Sequence, residues 1–254
     1  MKQVELQYSN GIRNIENINT LYNMKNLNLY IKESILDNED DLVNDPYVQI
    51  YAWIKKFESN SQIQQAKVNK DGSIDANAID MSEPLPDYIK LNKVDYLFVH
   101  DCSIKNCEGF PKQSEKIVIK NCVELKSLEG FPKGAECDRF VINNSEDVNG
   151  KLTSLKGMPK ATHAYFQNVN MKDLSGISDV KVLDIYNCKK LEVINPKSSL
   201  KTLRIEYCTK LKDITKLPKN MNWIIVNYCN LPARDWREHL KKNGAFDFNE
   251  QLFI

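Results

Sequence analysis

One phrase returns along the chain at short, nearly regular intervals, and it constrains the fold more than any other feature. Leu97-Phe98-Val99-His100-Asp101-Cys102 is followed by Ile117-Val118-Ile119-Lys120-Asn121-Cys122 and by Phe140-Val141-Ile142-Asn143-Asn144-Ser145. Further copies read Leu183-Asp184-Ile185-Tyr186-Asn187-Cys188, Leu203-Arg204-Ile205-Glu206-Tyr207-Cys208 and Ile224-Ile225-Val226-Asn227-Tyr228-Cys229, with a weaker one at 164–169. The last position of the phrase falls at 102, 122, 145, 169, 188, 208 and 229, a period of 19 to 24 residues. Each copy holds two apolar residues separated by one position, then two polar positions, then Cys or an equivalent. Alternation of period two predicts a strand with residues such as Ile117 and Ile119 inward and Val118 and Lys120 outward. The closing Cys or Asn position turns inward after the strand, where a small polar side chain meets buried backbone groups. A unit this short cannot bury its own apolar side, so the copies must stack.

A second half-phrase completes each coil. Leu125 and Leu128 follow Cys122; Leu152 and Leu155, Leu174, Leu191 and Ile194, and Leu211 and Ile214 follow in later copies. Glu108-Gly109-Phe110-Pro111-Lys112, Glu129-Gly130-Phe131-Pro132-Lys133 and Lys156-Gly157-Met158-Pro159-Lys160 then turn the chain, Gly permitting the bend and Pro forbidding a helix. This period and pattern are those of a leucine-rich repeat. The predicted fold class is an α/β solenoid: a leucine-rich-repeat array with a parallel sheet on its concave face, loops or 3₁₀ turns on its convex face, and helical caps. About seven repeats occupy residues 93–230, between an N-terminal segment and cap at 1–92 and a C-terminal cap at 231–254.

The stretch 66–177 resembles the leucine-rich-repeat proteins encoded by many tailed bacteriophages. The resemblance rests on Asn69-Lys70-Asp71-Gly72-Ser73-Ile74-Asp75 as a strand and turn, and on the Leu85-Pro86 step. It rests further on the reiterated Leu-x-Ser-Leu-Glu-Gly-x-Pro-Lys unit, here Leu125 through Lys133 and, in echo, Leu152 through Lys160. The Gly-Gly-Asp lead-in common in that family is absent, and the copies after Val180 drift toward a plainer repeat. The resemblance implies the fold and a viral origin, and it carries no shared activity.

A stacked array exposes an apolar face at each end and needs caps there. Asp45-Pro46 is a helix start, and Tyr47, Ile50, Tyr51, Ile54 and Phe57 fall on one face of a helix at about 45–58. That face is expected to be the buried side of the N-terminal cap; an aromatic docking helix is the alternative. A strand and turn are expected at about 66–80. Residues 232–242 read as a short helix stopped by Gly244, with Trp236 and Leu240 closing the other end. Residues 245–254 read as an extended segment, and the acidic run 37–41 as a solvated loop.

Five of the seven cysteines, Cys102, Cys122, Cys188, Cys208 and Cys229, hold one repeat position, which lays them in a ladder rather than a ligand cluster. Buried free thiols are expected, with no disulfide and no metal. Cys107 and Cys137 lie off the ladder, and His100, His163 and His239 complete no zinc motif, hydrolase motif or P-loop. No enzyme activity and no cofactor are expected. The formal net charge of +1 gives no global field for nucleic acid, and no apolar run is long enough to cross a bilayer. Residues 1–9 are polar, without a signal peptide's apolar core, and the odd cysteine number suits a reducing compartment, so a cytoplasmic protein is expected.

The outward strand positions remain, and they carry Tyr, Trp, Phe, Arg and His, the residue types of interface hot spots. Isolated aromatics on a sheet also satisfy strand propensity. The partner-binding residues expected on the concave face are Phe98, His100, Lys120, Tyr165, Gln167, Asp184, Tyr186, Arg204, Glu206, Trp223 and Asn227. Tyr165, Tyr186 and Arg204 are expected to share one patch and to tolerate truncation without loss of folding. The expected function is binding of a protein partner, a bacterial host protein, without nucleic acid or membrane. The alternative is a structural component of a virion or other assembly.

Overall fold

A computed structural model describes residues 46–147, 150–214, 216–218 and 221–231. The chain forms a β-solenoid of about seven turns whose strands make one ten-stranded sheet. Helix α1 (Pro46–Ser59) comes first, then β1 (Ile63–Gln64), β2 (Lys67–Val68), β3 (Ile74–Met81) and β4 (Leu91–His100). Six more strands follow: β5 (Gln113–Lys120), β6 (Glu136–Asn143), β7 (Lys160–Gln167), β8 (Val182–Tyr186), β9 (Thr202–Glu206) and β10 (Trp223–Asn227). From β3 to β10 each strand pairs in parallel with the next, while β1 and β2 pair antiparallel with β3. The sheet runs across residue 92 without a break, so the strand and turn of the N-terminal segment share a core with the repeats. Among the described residues no helix lies between strands; turns and irregular loops close each coil.

Two inward columns build the core. One runs Leu97, Ile117, Phe140, Ala164, Leu183, Leu203, Ile224, and the other Val99, Ile119, Ile142, Phe166, Ile185, Ile205, Val226. All but Val226 are buried. Bulk shifts between the columns from rung to rung: Phe140 stands beside Ala164 in one, Ile142 beside Phe166 in the other. Large against small lets the layers interdigitate without voids. The leucines of the second half-phrase, among them Leu125, Leu128, Leu155, Leu174, Leu191 and Leu211, are buried behind the sheet. In α1, Ile50, Tyr51, Ile54 and Phe57 are buried as the helical spacing predicts, and so is Trp53, whose ring lies 4.9 Å from that of Phe57. The Tyr47 side chain, the 1–44 segment and the C-terminal helix and tail expected at 232–254 lie outside the described residues.

The strand ends obey a rule that the sequence reading passed over. The residue before the Cys position adopts a left-handed backbone at Asp101, Asn121, Asn168, Asn187, Tyr207 and Tyr228, with φ between 47° and 55° for the first four and 56° and 51° for the tyrosines. Its N–H still continues the ladder, as Asn187 does to the Glu206 carbonyl at 2.8 Å and Tyr207 to that of Asn227 at 3.1 Å. The twist then drops the next side chain inward. Cys122, Cys188 and Cys208 are buried there, with Sγ 3.4 to 3.8 Å from backbone carbonyls of their own and, for Cys122 and Cys188, the neighbouring rung.

One rung departs from this register. Ser145, expected at the inward position, is exposed, and Asn144 is buried in its place. Asn144 does not take the left-handed turn, so the chain leaves the strand one residue early. Its N–H bonds the Gln167 carbonyl at 3.1 Å, its side chain reaches the Asn168 carbonyl at 3.4 Å, and Ser145 N–H goes to Asn121 Oδ1 at 2.7 Å.

Candidate functional site

The pairing register lays the outward side chains in three rows across the sheet. The first runs Tyr96, Lys116, Arg139, His163, Val182, Thr202, Trp223. The middle row runs Asp80, Phe98, Val118, Val141, Tyr165, Asp184, Arg204, Ile225. The third runs His100, Lys120, Asn143, Gln167, Tyr186, Glu206, Asn227. Phe98, Val118, Val141 and Tyr165 thus make an unbroken apolar strip along the middle of this open face.

At the end of that strip Tyr165, Asp184, Tyr186, Arg204 and Glu206 line one pocket of about 250 Å³. Three strands contribute, because residues two apart on one strand and level residues on the next are near neighbours on a pleated sheet. Hydrogen bonds fix the walls. His163 Nε2 lies 2.7 Å from Asp184 Oδ2, and Tyr165 Oη donates to Gln167 Oε1 at 2.5 Å. Arg204 donates through Nε and Nη2 to Glu206 Oε1, each at 3.1 Å, and Asn227 Nδ2 donates to the same oxygen at 3.1 Å. Partial burial raises the Tyr165 phenol above its ordinary range, with the Asp184 charge acting in the same sense. Tyr165 therefore presents a hydroxyl, not a phenolate, at neutral pH.

Seven of the eleven expected residues are brought together here: Tyr165, Asp184, Tyr186, Arg204 and Glu206 around the pocket, with Gln167 and Asn227 bonded to its walls. Trp223 stands half-buried in the first row of β10, outside the pocket. Phe98, His100 and Lys120 form a separate group on β4 and β5. Phe98 is three strands from Tyr165, about 14 Å at the usual strand spacing. There the Phe98 and His100 rings stack at 5.0 Å, and His100 lies between two carboxylates, Asp80 at 3.1 Å and Asp101 at 3.0 Å. The hydrogen bond from His100, then that from Asn121, holds the Asp101 carboxyl below its usual range.

Glu206 differs from the expectation of a solvated outward position: it is 9% exposed. Arg204 and Asn227 close over it, so truncating Arg204 alone would strand a buried carboxylate. The tolerance expected of Arg204 does not fit this arrangement, whereas Tyr165 and Tyr186 hold up no buried charge.

Two residues of this face were missed. Tyr207 and Tyr228 sit at the left-handed corner beside the third row and are 37% and 46% exposed. Their rings lie parallel at 4.4 Å and 8°, and Tyr186 meets Tyr207 edge-on at 5.1 Å. Reading the column before the Cys position as Asp, Asn, Asn, Asn, Asn, Tyr, Tyr would have singled them out.

The cysteines offer little reactivity. All seven are free, and six are buried. Burial pushes the Cys122 and Cys137 thiols up to about 12, which keeps them protonated at neutral pH. Among the described residues no group of His, Cys, Asp or Glu converges as a metal site, and no helix is long and apolar enough to cross a membrane. Comparison with protein-family models, with curated proteins and with solved structures gives no match.

Proposed function

We propose that the chain is a leucine-rich-repeat scaffold, capped by helices, that binds another protein through the open face of its sheet, the concave face of such an array. In this reading it is a phage-encoded factor acting on a bacterial host protein in the host cytoplasm, and it is a binding module rather than an enzyme. The observation that carries protein binding is the continuity of the open face. An apolar strip from Phe98 to Tyr165 ends in a pocket walled by tyrosines and paired charges. Apolar centre, aromatic and Arg anchors and a polar surround are the anatomy of a protein interface. The viral and host parts of the reading come from the repeat resemblance alone.

The test is capture by the tagged full chain from a bacterial lysate, identification of the retained protein, and titration of the purified pair. Tyr165→Ala and Tyr186→Ala are each expected to weaken binding by about 2 kcal/mol or more, near thirtyfold, with melting curves unchanged. Arg204→Ala is made together with Glu206→Gln, so that no buried charge is left alone. Unchanged affinity in all three variants would remove the open face as the binding surface.

A further inference from the structure

We propose that Tyr186, Tyr207 and Tyr228, together with the carboxylates of Asp184 and Glu206, form a seat for an arginine side chain of the partner. This deepens the protein-binding reading and rests on it.

The first observation is a backbone position filled against its own preference. Four rungs meet the left-handed corner with Asp101, Asn121, Asn168 and Asn187. Asp and Asn tolerate that conformation because a short polar side chain can bond locally. Here they do so from rung to rung: Asn121 Nδ2 donates to Asp101 Oδ1 at 3.1 Å, and Asn187 Nδ2 to Asn168 Oδ1 at 2.7 Å. Tyrosine has no such compensation, yet the last two corners hold Tyr207 and Tyr228. Bulky residues held in the left-handed region cluster where function requires them.

The second observation is what those tyrosines build. The parallel pair and the edge-on Tyr186 make one aromatic cluster, in which Tyr207 and Tyr228 are exposed and Tyr186 half-buried. Tyr186 belongs to the cluster and to the pocket, so the two are one surface.

The third observation is charge. The pocket walls carry two carboxylates, Asp184 and Glu206, against one guanidinium, Arg204, with the His163 ring 2.7 Å from Asp184. The three side-chain hydrogen bonds to the Glu206 carboxylate all fall on Oε1, and among the described residues none ends on Oε2. An acidic side chain drawn to Arg204 would meet both carboxylates, whereas a cation at the exposed Tyr207 and Tyr228 rings would approach the Glu206 carboxylate, whose Oε1 is bonded by Arg204 and Asn227. Arginine fits better than lysine, since its planar guanidinium stacks on tyrosine while its edge pairs with a carboxylate.

The test needs no partner. The full chain, with its tyrosine rings carbon-13 labelled, is titrated with the blocked peptides Gly-Arg-Gly, Gly-Lys-Gly and Gly-Glu-Gly. The arginine peptide is expected to shift the Tyr186, Tyr207 and Tyr228 ring signals saturably, the lysine peptide more weakly, and the glutamate peptide not at all. Tyr207→Asn with Tyr228→Asn is expected to weaken the arginine response about tenfold, the size of a cation–π contact that is partly desolvated. Because Asn is the residue used at Asn121, Asn168 and Asn187, that double variant is expected to melt at or above the parent. The proposal falls if the arginine peptide leaves the rings unmoved, or if the glutamate peptide moves them equally. It falls too if the double variant melts well below the parent, since the tyrosines are then structural. A negative titration removes the arginine seat only; protein binding by the open face stands or falls on the capture experiment.

Discussion

Gly157→Ala isolates the contact that sets how closely one coil lies on the next. Gly157 has φ +89°, and a Cβ there would lie 2.5 Å from Glu129 N and 2.6 Å from the Leu128 carbonyl carbon and oxygen. Those are backbone atoms of the preceding coil, and they cannot swing aside. Two costs add. Placing a Cβ in the left-handed region costs about 1–2 kcal/mol. Forcing packed coils apart costs about 1–3 kcal/mol more, as overpacking does elsewhere. Gly134→Ala separates the two, since Gly134 has φ +76° and nothing within 4 Å of the added atom. Only the conformational cost applies there. Urea unfolding of both variants is expected to show a loss of about 2–5 kcal/mol for Gly157→Ala against about 1–2 for Gly134→Ala. In hydrogen exchange, the Gly157 variant is expected to speed the amides of Cys107 and Leu155, which bond across coils to Glu129 and Ser175. Local loosening is the form damage takes when each coil rests only on its neighbours. Equal losses in the two variants would refute close coil approach as the reason for glycine at this position.

Leu203→Ala is expected to cost about 2–5 kcal/mol, because Leu203 is fully buried between Leu183 and Ile224 in an inward column; a variant as stable as the parent would overturn the strand register. The thiols are expected to react slowly with a disulfide reagent in the native protein at pH 8 and to release all seven equivalents once denatured, with melting insensitive to reductant and chelator. A fast native burst, or a fall in melting temperature with either additive, would remove the buried-thiol reading.

The repeat was legible because strand alternation and stacking both act through side-chain type. Ile117 and Ile119 must be apolar to face the column, and Leu125 and Leu128 to fill the space behind it. The same alternation put Tyr165, Asp184, Tyr186, Arg204 and Glu206 outward, and parallel register then brought them into one pocket. What stayed hidden depended on partners across rungs or on backbone twist. Glu206 is buried only because Arg204 and Asn227 cover it. Asn144 replaces Ser145 inside because that corner omits the left-handed turn, which a shared letter pattern conceals. Tyr207 and Tyr228 run against the preference of their backbone position, so reasoning from propensity passes over them.

Stacking leaves a solenoid few places where selection for binding can act freely. The inward columns are fixed by volume, as Phe140 beside Ala164 and Ile142 beside Phe166 require. The Gly157 position is fixed by the backbone of the coil before it. The corner before the ladder cysteines is fixed by its left-handed turn, and the outward rows are less constrained, though Val141 and Glu206 are buried even there. Aromatic residues in those rows are therefore weak indications of function, since any strand accepts them. Tyr207 and Tyr228 are stronger ones, for they occupy a constrained position that Asn fills at neighbouring rungs. Stacking between their rings offsets part of the strain, by about 0.5–1.5 kcal/mol for such a pair. The conformational cost is about 1–2 kcal/mol at each of the two corners. The tyrosines are thus worth less to the fold than the asparagines used at neighbouring rungs, and the face they make with Tyr186 is where a cost in stability is matched by exposed aromatic surface.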